Sequence, residues 1–125
     1  MKALLIKVEP IDGGVQHSVE IVENDGRLEA MQKAVDGYIE CVGFQNGSGY
    51  VNEDGKTFDP PLLRNSVATT FCFECNAGLS PYDHIAGNMI VYGPIDDEGY
   101  NTGVTDEMIA MVKEITEDSP TRWIK

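Results

Sequence analysis

The chain has 125 residues, the usual length of one compact domain, and we expect a single domain over residues 1–125. A composition of 42% hydrophobic and 24% charged residues excludes wholesale disorder. The 21 acidic residues outnumber the 9 lysines and arginines and give a formal net charge of -12, which argues against direct binding to nucleic acids or anionic membranes.

The first predicted elements form a β-hairpin. KALLIKV (residues 2–8) is typical of a buried strand, and VQHSVEIV (residues 15–22) has the period-two alternation of a second strand. The intervening EPIDGG has the composition of a turn.

The apolar run at the N-terminus is only about four residues long, shorter than a signal-sequence core, and no later segment approaches membrane-spanning length. We therefore expect a cytoplasmic protein.

A short amphipathic helix is predicted near residues 27–36. In RLEAMQKAVDG, apolar residues recur at helical spacing at Leu28, Met31 and Val35, and Gly37 is a suitable C-terminal cap. The strand-like segment YIECVGF follows, and then come the turn QNGSG, the short strand GYV and the turn NEDGK.

Residues 57–87 show no clean hydrophobic period, and here we predict a helical turn near RNSVATTF within a longer loop. The segment NMIVYG is predicted to be a strand. The clearest helix is predicted near residues 105–118, where Thr105 can cap the first turn and Val104 can pack on Ile109. Together the elements predict an α+β fold, in which a hairpin-rich antiparallel sheet carries helices on one side.

The cysteines predict neither a disulfide framework nor a metal site. They are odd in number and the chain has no export signal, so we expect free thiols. Cys72 and Cys75 have the spacing of a metal or redox pair, and Cys41 and His84 are the further possible ligands. A structural zinc site normally brings two such pairs, and we therefore predict no metal.

The acidic segment PIDDEGYNTGVTDEM resembles a calcium-binding loop only in part. Counting from Asp96 places Glu98 at position three and Glu107 at position twelve, and both could supply oxygen ligands. Tyr100 and Asn101 then occupy the positions that need a side-chain oxygen and a glycine. We interpret the acids as a solvated turn that leads into the last helix.

Residue patterns typical of catalysis are scarce. His17 lies in an alternating strand and His84 in a loop, and the sequence has no serine elbow, phosphate-binding loop or paired metal-binding histidines. We predict that the protein is not an enzyme and needs no cofactor.

One group of residues is suited to binding a small nucleotide. A purine needs an aromatic surface and hydrogen-bonding groups at its edge, and a phosphate needs a positive group. The predicted ligand-binding residues are Arg64, Phe71, Phe73, Tyr82 and Asn88, with Asn65 and His84 nearby in the sequence. The residues also fit a second interpretation, in which both phenylalanines are core residues and Arg64 pairs with an acid.

The order of several short motifs resembles that in a family of small phage and mobile-element proteins catalogued as a domain of unknown function. The motifs span most of the chain and are MKALLIKV, DGYIECV, YVNEDGK, LRNSVAT, GNMIVYG and DDEGYNTGVTDEM. The chain is also similar to the Thoeris anti-defence sponge proteins of phages, which share a hairpin-rich N-terminal sheet and C-terminal helices. Those proteins bind cyclic ADP-ribose isomers, and some bind cyclic oligonucleotides, without cleaving them, and they form oligomers up to hexamers.

The resemblance to the sponge proteins implies roles for particular residues. In those proteins an aromatic residue and an asparagine just before the last strand contact the base, and arginines contact phosphates. Asn88 matches the asparagine, Tyr82 is the nearest aromatic residue, and Phe71 or Phe73 lies further back. Arg64 is the available arginine, and no second basic residue lies near the start of the last helix.

We therefore expect a non-enzymatic homo-oligomer, from dimer to hexamer, that sequesters a small nucleotide immune signal for a phage or mobile element. The net charge supports a second hypothesis, an acidic protein-interaction module that mimics nucleic acid or inhibits a host nuclease or defence protein. The acids are scattered from Glu9 to Asp118 rather than gathered in runs, which favours the first hypothesis.

Overall fold

Six strands form one mixed sheet in the order β3-β4-β5-β1-β2-β6. The computed structural model describes residues 1–124. Its elements are β1 (Lys2–Ile11), β2 (Gly14–Glu23), α1 (Leu28–Val35), β3 (Ile39–Phe44), β4 (Gly47–Asn52), α2 (Ser66–Glu74), β5 (Met89–Tyr92), α3 (Asp106–Ile115) and β6 (Arg122–Ile124). The predicted α+β class is confirmed. Every neighbouring pair of strands is antiparallel except β2 and β6, which are parallel.

The N-terminal hairpin is the longest pairing of the sheet. Strands β1 and β2 are paired over ten residues each, from Lys2 opposite Glu23 to Ile11 opposite Gly14. Asp12 and Gly13 connect them, and Gly13 adopts a φ of +82°, which a residue with a side chain rarely does. An Asp-Gly pair is a strong signal for this kind of two-residue connection, and the predicted hairpin is confirmed.

Helices cover both faces of the sheet, not one face as the sequence had suggested. Leu4 and Ile6 face α2 and α3, whereas Ala3 packs with Met31 of α1 on the opposite face. The reason lies in β5, whose four residues MIVY are all buried. A central strand that is apolar on both faces needs cover on both sides, and α1 supplies it on the second.

Helix α2 runs from Ser66 to Glu74, where the sequence had predicted only one helical turn within a loop. Most of its circumference is buried, so its apolar residues show no amphipathic period. The N-terminus is capped by Asn65, whose Oδ1 accepts a hydrogen bond from the backbone N–H of Ala68 at 3.0 Å.

The last predicted helix is confirmed, and a short strand follows it. Helix α3 runs from Asp106 to Ile115, and Thr105 caps it as predicted, with its Oγ1 accepting from the N–H of Met108 at 3.2 Å. The three residues of β6 then pair in parallel with β2 and place Trp123 opposite Val19. Strand β6 was not predicted, because three residues are too few to show a period.

No helix within residues 1–124 has the length and apolar character needed to cross a membrane.

Candidate functional site

The two phenylalanines predicted to bind a ligand lie in different environments on α2. Phe71 is fully buried in the core, and its ring meets that of Phe44 edge to face at a centroid distance of 5.3 Å. A ligand cannot reach this ring without opening the core, so we remove Phe71 from the candidate site. Phe73 is 41% exposed on the same helix.

Arg64 and Tyr82 are accessible, but they do not line the groove that contains Asn88. Arg64 is exposed and forms a backbone bridge with Ala86. The side chain of Tyr82 is 96% exposed, in the turn before β5. The predicted ligand-binding residues therefore do not form one pocket within the protomer.

Asn88 connects the sheet to α1. Its Oδ1 accepts a hydrogen bond from the backbone N–H of Val8 at 3.0 Å, and its Nδ2 donates to the carbonyl oxygen of Ala34 at 3.4 Å. The amide thus fixes the C-terminal end of α1 against the start of β5. It also lies at the border of a groove, which we call the α1 groove.

The α1 groove lies beside the short helix on the α1 face of the sheet. Helix α1 packs over β3, β4 and β5 and leaves part of β1 and β2 open on this face. The groove has a volume of about 460 Å³ and is lined by Leu5, Lys7, Val22, Glu23, Asn24, Ala30, Lys33, Ala34, Asn88 and Ile90. Its aliphatic side chains can bury an apolar surface, and its polar side chains can orient a ligand.

Two lysines make the α1 groove locally positive in an acidic protein. Neither Lys7 nor Lys33 forms a salt bridge with another residue in the described part of the chain. The groove's glutamate, Glu23, has its Oε2 3.4 Å from the N-terminal ammonium group. Asn24 accepts hydrogen bonds through Oδ1 from the hydroxyl of Tyr92 and the N–H of Gly26. Two ammonium groups are thus free to bind an anion.

Sequence patterns missed both lysines for a topological reason. Lys7 lies two residues after Leu5 and so shares its face of β1, but the alternation does not show that this face is open. Lys33 lies in α1, distant in sequence from Lys7. Only the packing of the helix on the sheet brings the two residues to one groove.

A second cleft lies between the end of α3 and the sheet edge formed by β6. It has a volume of about 630 Å³ and is lined by Ile21, Lys113, Thr116, Glu117, Ser119, Thr121, Trp123 and Ile124. The Nζ of Lys113 lies 5.8 Å from the centroid of the Trp123 ring, and the ring Nε1 donates to Thr116 Oγ1 at 3.0 Å. We call this the Trp123 cleft.

The acidic segment before α3 forms a turn. The Oδ1 of Asp96 accepts hydrogen bonds from the backbone N–H groups of Glu98 and Tyr100, at 3.0 and 2.9 Å. The carboxylate therefore orders its own loop, as aspartate commonly does at turns.

In residues 1–124, no three side chains of His, Cys, Asp or Glu converge where they could hold a metal ion. Cys41 is exposed on β3, whereas Cys72 is buried on α2.

Comparison with known proteins identifies a family. A family model described as a domain of unknown function (DUF3846) matches residues 1–117, and the chain belongs to this family. Searches of curated proteins and of solved structures each found no match. The matched residues contain every residue that lines the α1 groove, whereas half of the Trp123 cleft lies beyond them. Of these two openings, only the α1 groove lies wholly within the matched residues.

Proposed function

We propose that the protein binds a small nucleotide-type anion in the α1 groove and does not cleave it. The observation that carries this proposal is the presence of two unpaired lysines, Lys7 and Lys33, in an aliphatic groove of a chain with a net charge of -12. The chain has only 9 lysines and arginines, and two of them line this one groove. The phosphates of a nucleotide are the natural partners of two neighbouring ammonium groups.

The remaining lining of the groove fits the less charged part of such a ligand. Leu5 and Val22, which are half-buried, can pack against a sugar or the edge of a base. The side chains of Asn24 and Asn88 already hold the loop after β2 and the end of α1 in place. A groove fixed in this way loses little conformational entropy when a ligand binds.

The titratable groups of the groove support binding without catalysis in this proposal. They are Lys7, Lys33 and Glu23, and the carboxylate of Glu23 lies next to the N-terminal ammonium group. Neither His17 nor His84 lines the groove. Hydrolysis of a phosphate ester or glycosidic bond needs a positioned acid or base, which these groups do not provide.

A second copy of the chain supplies the aromatic surface in this proposal. The α1 groove has no aromatic lining residue, whereas Tyr82 is 96% exposed and Tyr38 is 69% exposed on the protomer surface. Stacking of a base on an exposed tyrosine of a neighbouring protomer would complete the site and favour a homo-oligomer, between a dimer and a hexamer. The native mass with and without nucleotide measures this assembly.

The biological role we propose is the one implied by the resemblance to the Thoeris anti-defence sponges. The protein would remove a cyclic ADP-ribose isomer or a cyclic oligonucleotide from a bacterial cell and thereby protect a phage or mobile element. The supporting observations are the hairpin-rich N-terminal sheet followed by a C-terminal helix, which is the plan of those proteins, and the two lysines of the groove within an acidic chain.

The location of the site is tested by charge-removing variants. Lys7→Gln and Lys33→Gln are each expected to weaken nucleotide binding roughly tenfold, because a charge-assisted hydrogen bond contributes about 1.5 kcal/mol. Lys113→Gln removes the same charge from the Trp123 cleft and is the matched control. Isothermal titration of each variant gives its Kd. Weakened binding in Lys113→Gln, with the other two variants unchanged, would contradict a site in the α1 groove and would place it in the Trp123 cleft.

A different observation favours protein binding as a second candidate function. The groove between the exposed sides of α2 and α3 is lined by three glutamates, Glu74, Glu107 and Glu114, around Met111 and Ile115. An acidic rim around apolar side chains suits a basic protein surface. A salt-sensitive complex with a basic host protein in a pull-down would support this function, and its loss on Glu107→Gln and Glu114→Gln would locate the contact.

A further inference from the structure

Two sulfur–sulfur contacts lie where α2 and the residue after it meet β5 and α3. The thiol of Cys72 lies 3.9 Å from Sδ of Met89 on β5, and the thiol of Cys75 lies 3.4 Å from Sδ of Met111 on α3. Cys72 and Cys75 are three residues apart in a helical segment, so their side chains are neighbours on one face. We call these four residues the sulfur cluster.

The separations within each sulfur pair suit a shared metal ion. Two sulfur ligands at metal–sulfur distances of about 2.3 Å and at a tetrahedral angle lie about 3.8 Å apart. The observed separations of 3.4 and 3.9 Å lie on either side of this value. A metal ion could thus bridge the two sulfur atoms of a pair with small movements of the side chains.

A path leads from solvent to the sulfur cluster. A groove of about 230 Å³ is lined by Phe44, Gln45, Asn46, Glu74, Cys75, Asn76, Thr105, Glu107, Met108 and Met111. Cys75 and Met111 line this groove, whereas Cys72 and Met89 are fully buried. Glu74 and Glu107 line the same groove and would attract a cation.

We propose that the sulfur cluster is a binding site for a soft monovalent cation of the Cu(I) class. Thiolate and thioether ligands together select Cu(I), because a thioether is a poor ligand for harder ions such as Mg²⁺ or Ca²⁺. The two thiols would lose their protons to solvent as the metal–sulfur bonds form, and no electron is transferred. This site is separate from the α1 groove and independent of the nucleotide proposal.

The test uses the full chain and Cu(I) itself. Cu(I) is added without oxygen, as its acetonitrile complex, in competition with a chromogenic Cu(I) chelator. We expect the wild-type protein to withdraw one Cu(I) per chain and to gain thiolate-to-Cu(I) charge-transfer absorption in the ultraviolet. Cys75→Ser is expected to abolish both signals. Met111→Leu, which conserves volume but removes a thioether ligand, is expected to weaken binding by at least about tenfold.

Cys41→Ser is the matched control, because it removes an exposed thiol on β3 and is expected to leave binding unchanged. Thermal unfolding with and without Ag(I) gives a second measurement, since a cation that binds only the folded state raises Tm. The proposal is overturned if the wild-type protein withdraws no Cu(I), if Cys75→Ser binds as much as wild type, or if Cys41→Ser loses the bound ion.

Discussion

Asn65 holds several parts of the molecule together through one buried amide. Its Nδ2 donates to the carbonyl oxygens of Ile6 and Gly87, at 3.1 and 2.9 Å, while its Oδ1 caps α2 through the N–H of Ala68. The residue has no exposed surface. Its position beside the exposed Arg64 had suggested a ligand contact, but its hydrogen bonds give it a structural role.

Asn65→Ala is expected to lower the free energy of unfolding by about 3 kcal/mol, since it removes a helix cap and leaves two buried carbonyl oxygens without their donor. Urea denaturation measures the change. Asn46→Ala, in the exposed connection between β3 and β4, is the matched control and should change stability by less than about 0.5 kcal/mol. A loss below about 1 kcal/mol for Asn65→Ala would contradict this structural role.

His17 makes stability depend on pH. Burial lowers the pKa of His17 from its ordinary value of 6.5, and Nε2 lies 3.2 Å from Oγ of Ser66. The folded protein favours the neutral ring of His17. The contribution of His17 to the free energy of unfolding is therefore fully present above pH 6.5 and is lost as the pH falls through the lowered pKa. The fall in unfolding free energy from neutral to acidic pH should therefore be smaller for His17→Gln than for wild type. Equal falls in the two proteins would count against this account.

Among the elements, those with strong local patterns were predicted and those defined by packing were not. The hairpin of β1 and β2, helix α1 and helix α3 have clear periods, turns or caps, and each lies close to its predicted position. Helix α2 was predicted only as a helical turn, because it is buried on most sides. Strand β6 was not predicted, because it is held by pairing with a strand about a hundred residues earlier.

The cap of α3 gives a prediction at the level of an element. Thr105→Ala should destabilise the protein by about 1 kcal/mol, because the N–H of Met108 loses its acceptor. Thr70→Ala, at an exposed position on α2, is the control and should be close to neutral. Thermal or urea unfolding of both variants provides the comparison, and equal stability of the two would show that Thr105 does not act as a cap.

At the scale of the whole molecule, the candidate site depends on what α1 leaves uncovered. The eight residues of α1 pack mainly over β3, β4 and β5, and the α1 groove is the open surface that remains beside the helix. Asn88 was predicted from its sequence setting, but Lys7 and Lys33 were not. Their convergence depends on the packing of α1 against the sheet, which local patterns do not report.

Isothermal titration of the purified wild-type chain with cyclic ADP-ribose isomers and cyclic oligonucleotides tests nucleotide sequestration most directly. We predict saturable heat with at least one of these ligands, binding that weakens as salt rises, and recovery of the ligand intact after release. Absence of heat with every ligand, or recovery of a cleaved product, would contradict the proposed function.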